Sequence, residues 1–174
     1  MSNQPQSLIS YGEKVQYGLV QKNEREMRKN ATNEFDENDP ILSLGCTVGL
    51  ENPSNMFKWR ITLIGPTDTP YAGGMFFLTA EFPADYPQQK PEVKFVNKIY
   101  HLNVSPSSGH ICISTLNEWK ARTPMVDVIS SIFALFYDQN PDSPYDSKMA
   151  QEYRNRRAEF NKKAKEWTKK YAPM

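Results

Sequence analysis

The chain has 174 residues, of which 39% are hydrophobic and 12% aromatic. This composition is typical of a folded domain with an ordinary core and argues against a disordered chain. Lys and Arg number 21 against 20 acidic residues, so the net charge is +1, which argues against nucleic acid as the main partner. No apolar run reaches membrane-spanning length, and the N-terminus lacks the apolar core of a signal peptide.

The cysteines, histidines and glycines argue against three further kinds of site. Two cysteines cannot form the disulfide framework of a secreted domain, so we expect a reducing compartment, the cytosol or the nucleus. The two histidines and two cysteines show no CxxC or HxxxH spacing, which argues against a metal site. The eight glycines are scattered and predict no phosphate-binding loop.

The first half of the chain predicts one helix followed by strands. We interpret residues 1–10 as a tail and residues 11–174 as a single domain. A sparse apolar stripe between residues 13 and 30 favours a surface helix, and the acidic stretch that follows is interpreted as a solvated connector. Four turn-separated runs then alternate apolar and polar residues, which predicts an antiparallel meander with one buried face. These runs are residues 41–50, 56–63, 76–82 and 93–96.

The second half predicts helices that cover this sheet. Thr123 and Pro124 are typical of a helix start, with Thr as N-cap and Pro at the first helical position. A second stripe predicts a last helix from about Ser147, through Met149, Tyr153, Phe160, Ala164, Trp167 and Tyr171. The predicted class is therefore α+β: an N-terminal helix, a four-stranded meander, an irregular segment and two C-terminal helices.

The two cysteines fall in different settings. Cys46 is in phase with the apolar residues of its strand, which favours a place in the core. Cys112 follows a loop of turn residues and lies between Ile111 and Ile113. If the isoleucines of an extended segment face the core, the thiol faces outward. The alternative is that Cys112 is an incidental cysteine without a chemical role.

Three chemistries suit an outward thiol. A hydrolase needs an activating base, for which His110 is the candidate. A thiol–disulfide exchanger needs a resolving cysteine, which Cys46 cannot be if it is buried. A thioester carrier needs hydrogen-bond donors for the oxyanion and no strong water-activating base, and Asn103 can supply an amide N–H. Asn103 can equally close a loop, and the two roles are compatible.

Several motifs, in order along nearly the whole chain, resemble the ubiquitin-conjugating enzyme family. The resemblance implies the same order of helix, meander, active-site cysteine and two helices. The motifs are Phe57-Lys58-Trp59, GPTDTPYAGGMFFLTAEFP, Asp85-Tyr86-Pro87, Lys98-Ile99-Tyr100-His101, Gly109-His110-Ile111-Cys112, Trp119, DQNPDSP from Asp138 to Pro144, and EWTKKYA.

The resemblance implies a mechanism and a set of partners. Cys112 would accept ubiquitin, or a ubiquitin-like protein, as a thioester from an activating enzyme. With a ligase, it would pass the modifier to a substrate lysine or to a ligase cysteine. His101 would support the loop, and Asn103 would stabilise the oxyanion or the loop that contains it. The chain itself would need no cofactor, since the activating enzyme uses the ATP.

Some positions depart from the family pattern. Leu102 replaces the proline of a His-Pro-Asn motif, and the stretch from Asn103 to Cys112 is one residue longer. Ser143 stands where many members have an acidic gate residue, for which the adjacent Asp142 is a partial substitute. A binding module with this fold and a vestigial cysteine is therefore the alternative to an active enzyme.

Two ligase-facing loops also depart from the pattern. Members that work with many RING-type ligases carry an apolar knob there, with a Phe after Tyr-Pro and a Ser-Pro-Ala. Here the matching positions are Gln88 in the first loop and Lys120, Ala121 and Arg122 in the second. The resemblance therefore implies a polar, partly cationic partner-binding surface.

Overall fold

The structure is a computed structural model that describes residues 18, 20–22 and 45–174. Residues 18 and 20–22 are helical, as the predicted N-terminal helix requires, and Val20 is fully buried. The rest of that helix, the tail, the acidic connector and the start of the first predicted strand run lie outside the described residues.

Four strands form one antiparallel sheet in the order β1-β2-β3-β4. They are β1 (Cys46–Asn52), β2 (Asn55–Ile64), β3 (Met75–Glu81) and β4 (Glu92–Phe95). The period-two pattern sets the register, because Cys46, Leu63 and Phe76 pair across three strands and all face the core. The predicted meander is confirmed.

Four described helices follow the sheet: α1 (Ser114–Asn117), α2 (Met125–Ala134), α3 (Ser147–Asn155) and α4 (Arg157–Tyr171). The α+β class is confirmed, with two local differences. The single turn α1 was not predicted, and the predicted last helix is broken into α3 and α4 at Arg156, which has φ −140° and ψ 53°. Residues 154–157 are all exposed, so no apolar packing holds that turn helical.

The start of α2 also differs from the prediction. Pro124 occupies the N-cap position with extended backbone angles, and no side chain caps the helix. Thr123 is therefore not the N-cap; its hydroxyl accepts the Lys120 backbone N–H at 3.3 Å. The prediction of Thr123 as N-cap is wrong because the Thr side chain closes the preceding turn instead.

Aromatic side chains join the helices to the sheet. Phe136, just after α2, packs its ring 5.2 Å from both Tyr71 and Phe76, measured between ring centroids. A second row, Trp59, Phe82, Tyr86 and Trp119, carries the core out to the loops. None of the described helices is long and apolar enough to cross a membrane. The core therefore reaches from the sheet and α2 to the loops that contain Tyr86 and Trp119.

Candidate functional site

A short hairpin presents Cys112. Val104 and Ile111 form an isolated antiparallel bridge, and the backbone N–H of Cys112 donates to the Asn103 carbonyl at 2.8 Å. Ile111 and Ile113 are 7% and 5% exposed, whereas Cys112 is half-buried. The structure therefore confirms that the isoleucines face the core and the thiol faces outward.

Two backbone hydrogen bonds close the tip of this hairpin. Ser105 N–H donates to the His110 carbonyl at 2.8 Å, and Gly109 N–H donates to Ser105 at 2.9 Å. Gly109 has φ +74°, and a Cβ there would lie 2.1 Å from the Phe95 carbonyl oxygen, so only glycine fits. Because the hairpin pairs again below its tip, Asn103 stands directly opposite Cys112.

Asn103 ties the hairpin to the loop that carries Ser143. Its side chain is fully buried, and its amide donates to the Asn140 carbonyl at 2.8 Å and to the Ser143 carbonyl at 3.0 Å. Its Oδ1 accepts the Asn140 N–H at 2.8 Å. The loop-supporting part of its predicted role thus has clear contacts. Both amide hydrogens are engaged, so none points at the sulfur in this arrangement.

His101 supports the same segment as a neutral ring. Its Nε2–H donates to the Leu135 carbonyl at 3.0 Å, and its Nδ1 accepts the Asn103 backbone N–H at 3.0 Å. Complete burial lowers the pKa of His101 to about 4. The uncharged ring therefore bridges α2 and the hairpin at neutral pH.

Leu102, which replaces the proline of the family motif, is held by a hydrogen bond that proline cannot make. Its backbone N–H donates to Oε1 of the buried Gln139 at 2.9 Å. Gln139 in turn donates to the Tyr71 hydroxyl at 2.8 Å, and that hydroxyl donates to the Tyr100 carbonyl at 2.8 Å. This chain of hydrogen bonds fixes the segment that a proline would restrict through its ring.

The two candidate gate residues point in different directions. Ser143 Oγ lies 3.2 Å from Cys112 Sγ. The Asp142 carboxylate pairs with the Arg154 guanidinium, which also donates to the Pro141 carbonyl at 3.1 Å. The structure therefore places a serine hydroxyl, and not the Asp142 carboxylate, against the thiol.

The sequence reasoning missed two neighbours of the thiol. Asn117, at the end of α1, lies with its amide nitrogen 3.6 Å from Cys112 Sγ. Tyr145 donates its backbone N–H to the Leu102 carbonyl at 2.9 Å. Its phenol has a raised pKa because of burial and, to a smaller extent, the negative charge of a Cys112 thiolate. The motif DQNPDSP, which ends at Pro144, was the nearest available signal for Tyr145; no sequence signal marked Asn117.

Two of the three chemistries considered for Cys112 lack the groups that they need. His110 places Nε2 2.6 Å from Glu92 Oε1 and Nδ1 2.9 Å from Ser108 Oγ, so neither of the chain's histidines contacts the thiol. Cys46 is buried in β1, where desolvation raises its thiol pKa to about 12, and it pairs with no other cysteine. Among the described residues no cluster suits a metal ion.

A hydrogen bond joins the two loops predicted to meet a ligase. The Trp119 indole N–H donates to the Pro87 carbonyl at 2.9 Å, which joins the second loop to the first. Gln88, Ala121 and Arg122 are all exposed beside this contact. Their geometry is compatible with the predicted partner-binding surface, and their role stays a prediction.

The family model described as ubiquitin-conjugating enzyme matches residues 21–168. The chain is 42% identical to ubiquitin conjugating enzyme E2 B of Dictyostelium discoideum over 127 aligned residues. The aligned region covers 73% of this chain and 85% of the relative. The chain is also similar to the structure of a candidate ubiquitin conjugating enzyme from Plasmodium yoelii, with 34% identity and a TM-score of 0.75 over 91% of this chain and 96% of the other. The domain of a Toxoplasma gondii ubiquitin conjugating enzyme matches with 32% identity and a TM-score of 0.70 over 86% of this chain and 98% of the other.

Proposed function

Since the chain belongs to the ubiquitin-conjugating enzyme family, we propose that Cys112 accepts ubiquitin or a ubiquitin-like protein as a thioester. The observation that carries this proposal is the setting of the thiol. It is half-buried on a fixed hairpin, has hydrogen-bonding groups at 3.2 and 3.6 Å, and has no histidine base in contact. A thioester needs such a site, because an adjacent base would activate a water molecule to hydrolyse it.

The reaction has two acyl transfers. In charging, the Cys112 thiolate attacks the thioester that joins the modifier to the activating enzyme, and the thiol of that enzyme leaves. In discharge, a lysine amine attacks the carbonyl carbon, the C–N bond forms, the C–S bond breaks, and its electron pair returns to Cys112 Sγ. The amine loses a proton to solvent. Alternatively, the thiolate of a ligase cysteine replaces the amine.

The residues around Cys112 position it for these steps. His101, Leu102 and Asn103 are bound through Leu135, Gln139 and Asn140 to the segment after α2. The same network holds Ser143 at the sulfur, in the place of the family's acidic gate. Holding the reacting groups in a fixed geometry lowers the entropic part of the activation barrier for acyl transfer.

The partners follow from this chemistry. They are the modifier, its activating enzyme, a ligase and lysine-bearing substrates. We propose that the chain itself takes no cofactor, with ATP consumed by the activating enzyme, and that it works in the cytosol or nucleus, where a free thiol stays reduced.

Two observations favour the alternative, a binding module of the same fold. The Asn103 amide has no hydrogen left for an oxyanion, and a serine stands at the gate. A module without thioester chemistry would still bind other conjugating proteins through its surface.

A non-reducing gel separates these two functions. The chain is mixed with an activating enzyme, ATP and ubiquitin, and in parallel with ubiquitin-like proteins and their own activating enzymes. We expect a slower-migrating band that disappears when reductant is added. The absence of such a band with every modifier would favour the binding module.

A further inference from the structure

Asn117 brings an amide to the reactive sulfur from a second direction. It ends the single turn α1, and its Nδ2 lies 3.6 Å from Cys112 Sγ. The turn is anchored, because Leu116 is buried in the core and the Thr115 hydroxyl hydrogen-bonds to that of Ser131 on α2 at 2.5 Å. The turn that carries the exposed Asn117 side chain is therefore fixed to the core and to α2.

The Asn117 amide differs from that of Asn103, because its recorded hydrogen bond is to the sulfur. Both amide hydrogens of Asn103 go to the carbonyls of Asn140 and Ser143. The Ser143 hydroxyl can donate to the sulfur or accept from it. An amide N–H, in contrast, can only donate.

We propose that Asn117 is a catalytic residue that donates a hydrogen bond to Cys112 Sγ and stabilises it as a thiolate. This inference rests on the proposed thioester function and assigns a residue to it. When the amine attacks the thioester carbonyl, the C–S bond breaks and its electron pair moves to Sγ. The Asn117 N–H lies where that charge appears, and a hydrogen bond to a charged acceptor is stronger than one to a neutral acceptor.

The effect should be larger in discharge than in charging. Charging exchanges one thioester for another, and stabilising the Cys112 thiolate also weakens it as a nucleophile. Discharge expels the thiolate, so its stabilisation favours the forward step. Loss of one donor of this kind is expected to slow discharge about tenfold.

The experiment compares Asn117→Ala and Asn117→Asp with the full wild-type chain. Glu118→Gln is the matched control, because Glu118 is the exposed next residue and lies outside the contacts to the sulfur. The first readout is single-turnover discharge of the preformed thioester to free lysine. The second is the rate of alkylation of the uncharged chain by iodoacetamide at pH 7, and melting temperatures check the fold.

We expect Asn117→Ala to discharge about tenfold more slowly and to be alkylated about two- to threefold more slowly. Asn117→Asp should be slower in both assays, because its carboxylate repels the thiolate. Wild-type rates in Asn117→Ala would overturn the proposal, and so would a change in only one assay. Faster alkylation would also overturn it, since Oδ1 and not Nδ2 would then face the sulfur.

The discharge and alkylation assays also separate this proposal from the proposed function. If the chain accepts no modifier from any activating enzyme, the thioester function fails. Alkylation uses no modifier, so its rates would still support or overturn the hydrogen bond between Asn117 and the sulfur.

Discussion

Asn103 is the residue whose contacts bear most directly on the mechanism. Its three side-chain hydrogen bonds all end on the backbone of residues 140 and 143, in the loop that carries Ser143. Under the proposed function, we expect its amide to act on the reaction through the position of that loop. A donor to the oxyanion would need the amide to release at least one of these carbonyls.

Replacing Asn103 by alanine should slow discharge to lysine by up to about a hundredfold, because the loop that carries Ser143 would be misplaced, with a smaller effect on charging. The loop would lose three hydrogen bonds, so the backbone N–H groups of Asn140, Asp142 and Ser143 should also exchange hydrogen faster. Discharge and exchange are measured on the same variant. Slow discharge with unchanged exchange would assign Asn103 to the oxyanion, and wild-type discharge would assign it no role in transfer.

Single residues show both the reach and the limit of sequence reasoning. The outward thiol could be predicted, because successive side chains of an extended segment point to opposite sides and Ile111 and Ile113 favour the core. Asn117 could not be predicted, because a four-residue turn is too short for a helical periodicity. The hydrogen bond between Leu102 and Gln139 joins positions 37 residues apart, and no local pattern reports such a contact.

At the scale of elements, the contact between the hairpin and the segment after α2 decides the geometry of the site. The strands were predictable, since burial of one face imposes a period of two on the sequence. The break between α3 and α4 was not, because Arg156 is neither glycine nor proline and the apolar stripe continues through both helices.

The hydrogen bond between Leu102 and Gln139 gives a prediction at this scale. Gln139→Leu should slow discharge about tenfold, because it leaves the buried Leu102 N–H unpaired and frees the loop. In a Leu102→Pro background the N–H is absent, so the same change should cost much less. Discharge rates of the two single variants and the double variant form the cycle that tests this coupling.

Strictly additive effects in that cycle would show that Gln139 and Leu102 act independently. Melting temperatures of the same variants serve as the control, since a purely structural loss would lower stability without separating charging from discharge.

At the scale of the whole molecule, the two loops joined by Trp119 and Pro87 expose polar side chains at the predicted partner-binding surface. An apolar ligase groove would have to bury Gln88 and Arg122 without hydrogen-bond partners, at a cost of roughly a few kcal/mol. We therefore expect weak chain formation with broadly used RING-type ligases. A dedicated ligase should offer carboxylates or other acceptors to Arg122.

A panel of promiscuous ligases tests this expectation. The double change Gln88→Phe and Arg122→Ala should raise activity across the panel, with thioester charging as the control that must not change. Strong activity of the unmodified chain with most of the panel would show that these loops do not restrict its partners.

The buried neutral His101 makes the stability of the molecule depend on pH. Its pKa is lowered from 6.5 to about 4 in the folded state, so the unfolded chain binds more protons between these values. Its contribution to stability is complete above pH 6.5 and is lost as the pH falls toward 4. Between pH 7 and pH 5 this one group should remove about 2 kcal/mol from the free energy of unfolding.

Urea unfolding at both pH values measures that loss, and His101→Gln is the control that cannot titrate. The difference between pH 7 and pH 5 should shrink in the variant. An equal difference in both proteins would show that other groups set the pH dependence.

Thioester formation at Cys112 is tested most directly by intact mass spectrometry after incubation with activating enzyme, ATP and ubiquitin. The wild-type chain and Cys46→Ala should each gain the mass of one ubiquitin less one water, and dithiothreitol should remove it. Cys112→Ala should gain nothing, and Cys112→Ser should give either no adduct or one that resists dithiothreitol, because an oxyester replaces the thioester. A dithiothreitol-sensitive adduct that persists in Cys112→Ala, or that disappears in Cys46→Ala, would contradict the assignment of Cys112 as the residue that carries the modifier.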